Sequence, residues 1–200
     1  RSLISRGSEL FRRYVMEETV PSDMMGYSDV GEIVGIGTDV DDALTTQMSY
    51  LNAPHAEYAV GDPFIIPDTL DLEVATFVGL TTSALRWVRY APINPGDDVI
   101  ILGQGIVGNL YSQAVRERSP GRVITVDPLE LRCQPSRTCG ADIAINASGT
   151  DSVNTILDLT NGKGAAVVVD CVASSGVTNS LPDAQRMVKH DGVIHLIGRY

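Results

Sequence analysis

The second half of the chain alternates short apolar runs with segments of helical length. From residue 98 onward, the apolar runs contain few polar positions and are separated by more polar stretches. Such runs are typical of strands buried on both faces, and their alternation with helices predicts right-handed βαβ units in a parallel sheet. We therefore expect five parallel strands, within Val99–Leu102, Val123–Val126, Ile143–Ile145, Ala165–Val169 and Val193–Ile197.

The first half has a different pattern, with short β-like runs separated by Gly, Pro and Asp. Val30–Ile36 and Glu57–Val60 are predicted strands, and Asp71–Tyr90 is a predicted helix. The chain is thus expected to be an α/β protein with two domains. A β-rich domain with a linking helix covers residues 1–96, and a doubly wound parallel sheet covers residues 97–200.

Turn and capping residues mark the ends of several predicted helices. Asp127 is expected to cap a helix whose first residue is Pro128, and Gly140 stands where a left-handed residue would end that helix. Pro182 is expected at a helix start or kink. Asp191–Gly192 is expected to close the segment before the last strand.

A glycine motif, Gly103-Gln-Gly-Ile-Val-Gly108, follows the first buried strand directly. Gly103 allows a tight turn, Gly105 lets the backbone approach a pyrophosphate, and Gly108 lets the following helix pack closely. The N–H groups of residues such as Ile106 and Val107 at the helix start would face the phosphates. The motif predicts a dinucleotide site, and the alternative is a tight turn that binds nothing.

Asp127 ends the second predicted strand, 19 residues after Gly108. An acidic residue about 20 residues beyond the glycines is expected to bind a ribose 2′-hydroxyl. A carboxylate there would repel a 2′-phosphate, and Arg132 follows only five residues later. The sequence therefore favours NAD over NADP, with an N-cap role for Asp127 as the alternative.

Composition narrows the class of partner. The chain of 200 residues has 15 basic and 25 acidic side chains, a net charge of −10, which argues against binding nucleic acid or an anionic membrane surface. We find neither an apolar run of membrane-spanning length nor a secretory leader, and the three cysteines form no CxxC pair. A cytoplasmic protein with a small-molecule substrate is expected.

Five segments in their order along the chain resemble the medium-chain dehydrogenase/reductase superfamily, the alcohol dehydrogenase-like proteins. They are Ile4–Glu9, Gly26–Gly37, His55–Tyr58, Asn94–Asp97 leading into the Gly103 turn, and Gly192–Gly198. The resemblance implies a GroES-like domain, here partial, followed by a Rossmann domain and hydride transfer with a nicotinamide cofactor. It also implies that the chain is a fragment, and that the full-length protein is a homodimer.

The chain departs from the zinc-dependent members of that superfamily. Where they carry a ligand Cys and a Gly-His-Glu triplet, this chain has Arg6 and Gly26-Tyr27-Ser28. Cys133 is its first cysteine, so the structural-zinc loop is missing as well. Because catalytic zinc needs three protein ligands, the resemblance implies a zinc-independent subgroup with no metal site.

Without a metal, hydrogen-bond donors or a cation must polarise a substrate oxygen. Ser8 matches the position of the proton-relaying Ser or Thr of the zinc enzymes, Tyr27 replaces a histidine ligand, and Arg6 supplies a positive charge. These three are the predicted catalytic residues; a turn serine, a packed aromatic and a surface charge are the alternatives. His55 is interpreted as a hydrogen-bonded loop histidine rather than a catalyst.

The carboxyl ends of the fourth and fifth predicted strands are expected to line the nicotinamide pocket, because ligands of open α/β sheets bind beyond those ends. Val172, Ala173, Ile197 and Gly198 are the predicted residues, with Cys171 beside them. Two alternatives remain open. One is a non-catalytic nucleotide-binding protein on the same scaffold, and the other is a methyltransferase, which would also use a glycine turn followed by an acid.

Overall fold

The computed structural model describes residues 25–172 and 180–198. The chain divides into two compact units between Thr82 and Ser83. These units are groups of residues that pack together and are not the predicted domains. The domain boundary expected after residue 96 remains a prediction. Ser8, Arg6 and Ala173 lie outside the described residues.

The first unit contains a three-stranded antiparallel sheet in the order β1-β2-β3. Its buried core consists of Val30, Tyr50, Ile66 and Ala75. The elements in the described part of this unit are β1 (Asp29–Glu32), a 3₁₀ turn (Asp42–Leu44), β2 (Met48–Leu51), β3 (Phe64–Ile65) and α1 (Leu72–Ala75), after which α2 (Val78–Tyr90) leads into the second unit.

Three expectations for this region need correction. The strand expected at Val30–Ile36 ends at Glu32, and Glu57–Val60 is an exposed loop rather than a strand. The helix expected over Asp71–Tyr90 is two helices, α1 and α2. The break follows from Thr76, whose hydroxyl donates to the carbonyl of Glu73 while its own carbonyl accepts a hydrogen bond from the Ser28 hydroxyl.

The second unit is built on a five-stranded sheet in which every strand pairs in parallel with its neighbours. The strands and helices are β4 (Asp98–Leu102), α3 (Ile106–Ala114), a 3₁₀ turn (Val115–Arg118), β5 (Arg122–Asp127), α4 (Glu130–Thr138), β6 (Ile143–Asn146), α5 (Ser152–Leu159), β7 (Ala165–Asp170), α6 (Leu181–Met187) and β8 (Val188–Leu196). All five predicted strands are present, which confirms the α/β fold class.

The strand order is β6-β5-β4-β7-β8. The chain builds outward from β4 on one side and then returns to place β7 on the other side. The crevice between the carboxyl ends of β4 and β7 is therefore the topological switch point, where open α/β sheets bind ligands.

Apolar side chains cover both faces of this sheet. On β4, Val99 and Ile101 pack into one core cluster, while Ile100 and Leu102 pack into the other. Because neighbouring strand residues point to opposite faces, a strand with a core on each side needs apolar residues throughout. This explains the continuous apolar runs of the sequence.

The observed helix ends agree only partly with those predicted from the turn and capping residues. Gly140 has φ +116° after α4, and Pro182 lies in the first turn of α6, as expected. However, α4 begins at Glu130 with Leu129 as N-cap, so the cap predicted at Asp127 is wrong. Asp191–Gly192 lies inside β8, where Asp191 has φ +59° at an irregularity in the pairing with β7.

No helix in the described part of the chain combines the length and apolar character needed to span a bilayer.

Candidate functional site: a glycine turn at the sheet switch point

The Gly103–Gly108 turn connects β4 to α3 and fits a phosphate group. Gly103 adopts φ +83°, which side chains rarely tolerate, and allows the chain to turn at once after Leu102. A Cβ on Gly105 would meet nothing within 4 Å, whereas a Cβ on Gly108 would lie 1.8 Å from the carbonyl oxygen of Gly103. The turn therefore packs tightly beneath Gly108 and leaves open space above Gly105.

The N-terminus of α3 faces this space with unpaired backbone donors. Gly105 is the N-cap and provides no side-chain cap, and the first helical bond runs from the Asn109 N–H to the Gly105 carbonyl. The N–H groups of the first turn, at Ile106, Val107 and Gly108, therefore have no partner within the helix. Together with the helix dipole, they favour an anion such as a pyrophosphate.

Asp127, the last residue of β5, holds the glycine turn in place. One carboxylate oxygen accepts the backbone N–H of Gln104 at 2.8 Å, and the other accepts the N–H of Leu129 at 2.9 Å. The side chain is only 1% exposed. Asp127 is therefore a bridge between the glycine turn and the segment leading into α4, a structural role that its sequence spacing did not reveal.

Arg132 lies beside this carboxylate, with Nη1 3.3 Å from Oδ2 of Asp127 and its side chain 45% exposed. From the sequence, Arg132 was not expected to affect cofactor preference, because it follows Asp127 by five residues. Because α4 starts at Glu130, however, the arginine stands on its first turn and reaches back. At the end of β5, the carboxylate of Asp127 is thus paired with the guanidinium of Arg132.

The segment after β7 contacts both the glycine turn and the end of β8. Val172 Cγ2 would lie 3.0 Å from a Cβ on Gly103, and a Cβ on Gly198 would lie 2.1 Å from the Val172 carbonyl oxygen. The structure thus brings together Gly103, Val172, Gly198 and, through its neighbouring backbone, Ile197. Their role in cofactor binding remains a prediction.

Asp170, the last residue of β7, organises these strand ends and was missed in the sequence. It is fully buried, and its carboxylate accepts the Val172 N–H at 2.9 Å and the Ser180 hydroxyl at 2.6 Å. Its carbonyl accepts the N–H groups of Ile197 and Gly198, both at 2.9 Å. The sequence contained a signal for Asp170, because an acidic residue at the end of a buried apolar run is the same pattern that pointed to Asp127.

Three titratable side chains pack near the same strand ends. The Tyr111 hydroxyl lies 3.2 Å from Nδ1 of His195, and Cys171 packs against the same core cluster. Burial raises the pKa of Tyr111 and of Cys171 far above their usual ranges, and burial lowers the pKa of His195. All three therefore favour their neutral forms at neutral pH.

Of the predicted catalytic residues, only Tyr27 lies in the described part of the chain. It is half-buried beside β1, and its carbonyl accepts the Tyr50 hydroxyl at 3.4 Å. The adjacent Ser28 is fully buried and donates to Thr76. Tyr27 and Ser28 are thus held by contacts within the first unit, and the catalytic role of Tyr27 remains a prediction.

A zinc ion does not fit the described side chains. Within residues 25–172 and 180–198, no three His, Cys, Asp or Glu side chains come close enough together to bind a metal ion. The segment around Arg6 lies outside this part of the chain.

Comparisons with known proteins find similar dehydrogenases. Residues 107–199 match the zinc-binding dehydrogenase family. The chain is 28% identical over 179 residues to D-guloside 3-dehydrogenase of Escherichia coli K12, covering 86% of this chain and 50% of that protein.

Two solved structures have the same fold. A protein described as a zinc-binding dehydrogenase from Sinorhizobium meliloti 1021, bound to NADP, gives a TM-score of 0.81 at 20% identity, covering 96% of this chain and 66% of that one. A short chain alcohol dehydrogenase from E. coli CFT073, complexed with NADH, gives 0.75 at 18% identity, covering 88% and 61%.

These matches are to dehydrogenases, the class of protein that the motifs of the chain resemble. The chain spans about half the length of the curated relatives it matches.

Proposed function

We propose that the protein is an NAD(P)-dependent oxidoreductase that transfers a hydride between a nicotinamide cofactor and a carbonyl, enone or alcohol, without catalytic zinc. The main support is the open space over Gly105 at the start of α3, at the switch point of the sheet. The nicotinamide ring supplies the hydride chemistry when the cofactor is bound. The relatives' names, dehydrogenases in each case, support the same reaction class.

In this proposal, the residues around the turn bind and orient the cofactor. Gly103, Gly105, Ile106, Val107 and Gly108 present backbone to the pyrophosphate, and Asp127 lies at the ribose. Val172, Ala173, Ile197 and Gly198 line the nicotinamide pocket. Small or apolar residues there would exclude water from the ring.

We further propose that NAD is preferred over NADP, because Asp127 places negative charge where a 2′-phosphate would lie. Arg132 opposes this preference, since its guanidinium lies within 3.3 Å of the carboxylate and is partly exposed. One solved relative binds NADP and another binds NADH, so the superfamily accommodates both. The preference is therefore set by the balance of these two side chains.

Titration of NADH and NADPH, followed by energy transfer from Trp87, tests both proposals. We expect tighter binding of NADH, and we expect Arg132→Ala to weaken NADPH by about twofold to fivefold with little effect on NADH, as suits one partly exposed charge. Arg137→Ala is a control on the same helix, because Arg137 pairs with Glu130 instead. Tighter binding of NADPH by wild type would overturn the preference.

Turnover is tested with wild type, bound cofactor and a panel that includes sorbitol, erythritol and isopropanol, the substrates named for relatives. Hydride transfer is read as a change in NADH absorbance. Binding without turnover would favour a non-catalytic nucleotide-binding protein. Binding of S-adenosylmethionine in preference to both nucleotides would favour a methyltransferase.

A further inference from the structure

A buried amide side chain lies beneath the glycine turn. Gln104 is the second residue of the Gly103–Gly108 turn and is only 3% exposed. Its Nε2 donates to the Gly103 carbonyl at 3.2 Å, and its Oε1 accepts the hydroxyl of Ser112 at 3.3 Å. Both ends of the amide are therefore hydrogen-bonded, as a buried polar group requires.

These bonds fix the orientation of the amide and join two parts of the unit. A carbonyl oxygen can only accept, so the amide nitrogen must face Gly103 and the amide oxygen must face Ser112. Ser112 lies on α3, and its hydroxyl also donates to the Gly108 carbonyl at 2.8 Å. The Gln104 side chain thus links the start of the turn to the body of α3, while its backbone N–H joins the turn to Asp127.

The Gly103 carbonyl lies against the first turn of α3. A Cβ on Gly108 would lie 1.8 Å from this oxygen and 3.4 Å from Nε2 of Gln104. The N–H of Gly108 is one of the donors at the helix start that have no partner within the helix. Because a buried acceptor without a donor is costly, a Gly103 carbonyl that lost the Gln104 amide would compete for these N–H groups.

The fold of the turn does not by itself explain a glutamine at this position. The positive φ of Gly103 and the close contact at Gly108 determine the turn, and neither requires an amide side chain between them. An apolar side chain of the same length would fill the space without the cost of burying an amide. The two hydrogen bonds of Gln104 therefore point to a role at the phosphate-binding backbone.

We propose that Gln104 is a positioning residue for the diphosphate of the cofactor; this inference rests on the nucleotide binding contained in the proposed function. Its amide occupies the Gly103 carbonyl, so that the N–H groups in the first turn of α3 stay directed at the phosphates. Gln104 acts through this backbone and does not touch the cofactor. The part of the ligand that depends on Gln104 is accordingly the diphosphate, which NADH, NADPH and ADP-ribose share.

Gln104→Met tests the proposal in the full chain, because methionine has a similar length and no amide. We expect the Kd of NADH to rise about tenfold, as for the weakening of a hydrogen bond to a charged group. ADP-ribose, measured by displacement of NADH, should lose the same factor, since it has the diphosphate but no nicotinamide. The ratio of the NADPH and NADH dissociation constants should stay at its wild-type value, in contrast to Arg132→Ala.

Gln113→Met is the matched control. Gln113 lies on the same helix, and its amide donates to the Asn109 side chain at 2.9 Å on an exposed surface. This variant is expected to bind all three nucleotides as wild type does. Thermal melts of both variants measure stability separately, because a residue that only supported folding would lower the melting temperature and leave the Kd of the folded protein unchanged.

Ser112→Ala provides a second, milder test. It removes the partner of Gln104 on α3 and keeps the bond from Gln104 to the Gly103 carbonyl. We expect NADH and ADP-ribose to bind about threefold more weakly, as for loss of one neutral hydrogen bond. This variant decides the question if Gln104→Met does not fold.

The outcomes separate this inference from the proposed function. If wild type binds NADH and a folded Gln104→Met binds it equally well, or loses affinity for NADH but not for ADP-ribose, the inference is overturned while the proposed function stands. If Gln104→Met does not fold, wild-type affinities in Ser112→Ala overturn it. If wild type binds none of the three nucleotides, the proposed function fails and the inference fails with it.

Discussion

At the scale of single residues, Gly105 and Gly108 have opposite surroundings although they are three positions apart. A Cβ on Gly108 would lie 1.8 Å from the Gly103 carbonyl, so Gly108→Ala must shift the turn. We expect a loss of about 1–3 kcal/mol in the free energy of unfolding, as for other overpacked sites, and weaker NADH binding. Urea unfolding followed by Trp87 fluorescence measures the first and NADH titration the second.

Gly105→Ala is the matched variant, because its Cβ would meet open space and its φ is an ordinary −66°. We expect stability within about 0.5 kcal/mol of wild type. NADH affinity should nevertheless fall about tenfold, since the added methyl would occupy the space proposed for the pyrophosphate. Unchanged affinity in this variant would argue against a cofactor over Gly105.

Asp170 is a second residue whose loss should affect both stability and cofactor binding. Asp170→Ala leaves the Val172 N–H and the Ser180 hydroxyl without their buried acceptor, which costs about 1–3 kcal/mol. Asp151→Ala is the control, because Asp151 caps α5 through the Asn154 N–H on an exposed surface. It should cost about 1 kcal/mol and leave NADH affinity unchanged. Equal NADH affinity in both variants would contradict the role given to Asp170.

The glycines of the turn could be assigned roles from the sequence, whereas Asp170 and Arg132 could not, and the difference has a physical reason. The glycines could be recognised because a tight turn, an open approach and a close helix contact are local requirements with a fixed spacing. Asp170 has the same position at the end of a buried strand as Asp127, but its contacts with Val172 and Ser180 form only on folding. The contact of Arg132 with Asp127 likewise depends on the folded helix. The spacing of Asp127 was informative, yet its contact with the Gln104 N–H needs the folded turn.

At the scale of elements, the strands buried on both faces were the easiest to predict. β4, β5 and β7 each contain a run of four or five mostly apolar residues with a polar residue at one or both ends, so these runs stand out. In β2, Ser49 is buried and its hydroxyl donates to the Gly31 carbonyl, so the apolar pattern is interrupted. In contrast, Tyr58 and Val60 have a strand-like alternation but lie on an exposed loop, 72% and 103% exposed.

The contact between α3 and β8 predicts a pH dependence of stability. Burial lowers the pKa of His195 below its usual value, so the folded state holds this proton less tightly than the unfolded chain. Above about pH 6.5 both states are neutral and the imidazole has no effect. As the pH falls below that value, the unfolded chain takes up the proton first, and stability is lost at no more than about 1.4 kcal/mol per pH unit until the folded state also protonates.

His195→Gln should remove this component, since it keeps a polar side chain beside the Tyr111 hydroxyl without a titrating ring. Urea unfolding of wild type and variant between pH 5 and pH 8 measures the difference, so that changes common to both proteins cancel. Tyr111→Phe is the companion variant, in which His195 still titrates. Parallel stability curves for wild type and His195→Gln would show that the ring does not titrate differently on folding.

At the scale of the whole molecule, two of the three cysteines, Cys133 and Cys171, lie in environments suited to packing rather than to metal binding. All three follow residue 132 and none is in a disulfide. The Cys133 thiol donates to the carbonyls of Asp127 and Ile145, and burial raises its pKa. Burial raises the pKa of Cys171 as well. Since zinc binds thiolates, these environments disfavour Cys133 and Cys171 as ligands.

The corresponding prediction is that chelation leaves the protein unchanged. Dialysis against EDTA is expected to alter neither the melting temperature nor the turnover of the best panel substrate, and elemental analysis should find well below one zinc per chain. A ligand that binds only the folded state at 100 times its Kd adds about 2.7 kcal/mol of stability, so a resident zinc would be evident in the melt. NADH supplies the positive control, because at saturation it should raise the melting temperature of both native and dialysed protein. One zinc per chain, lost together with turnover on dialysis, would instead require ligands that the described residues do not supply, and would direct attention to the segment around Arg6 and Ser8.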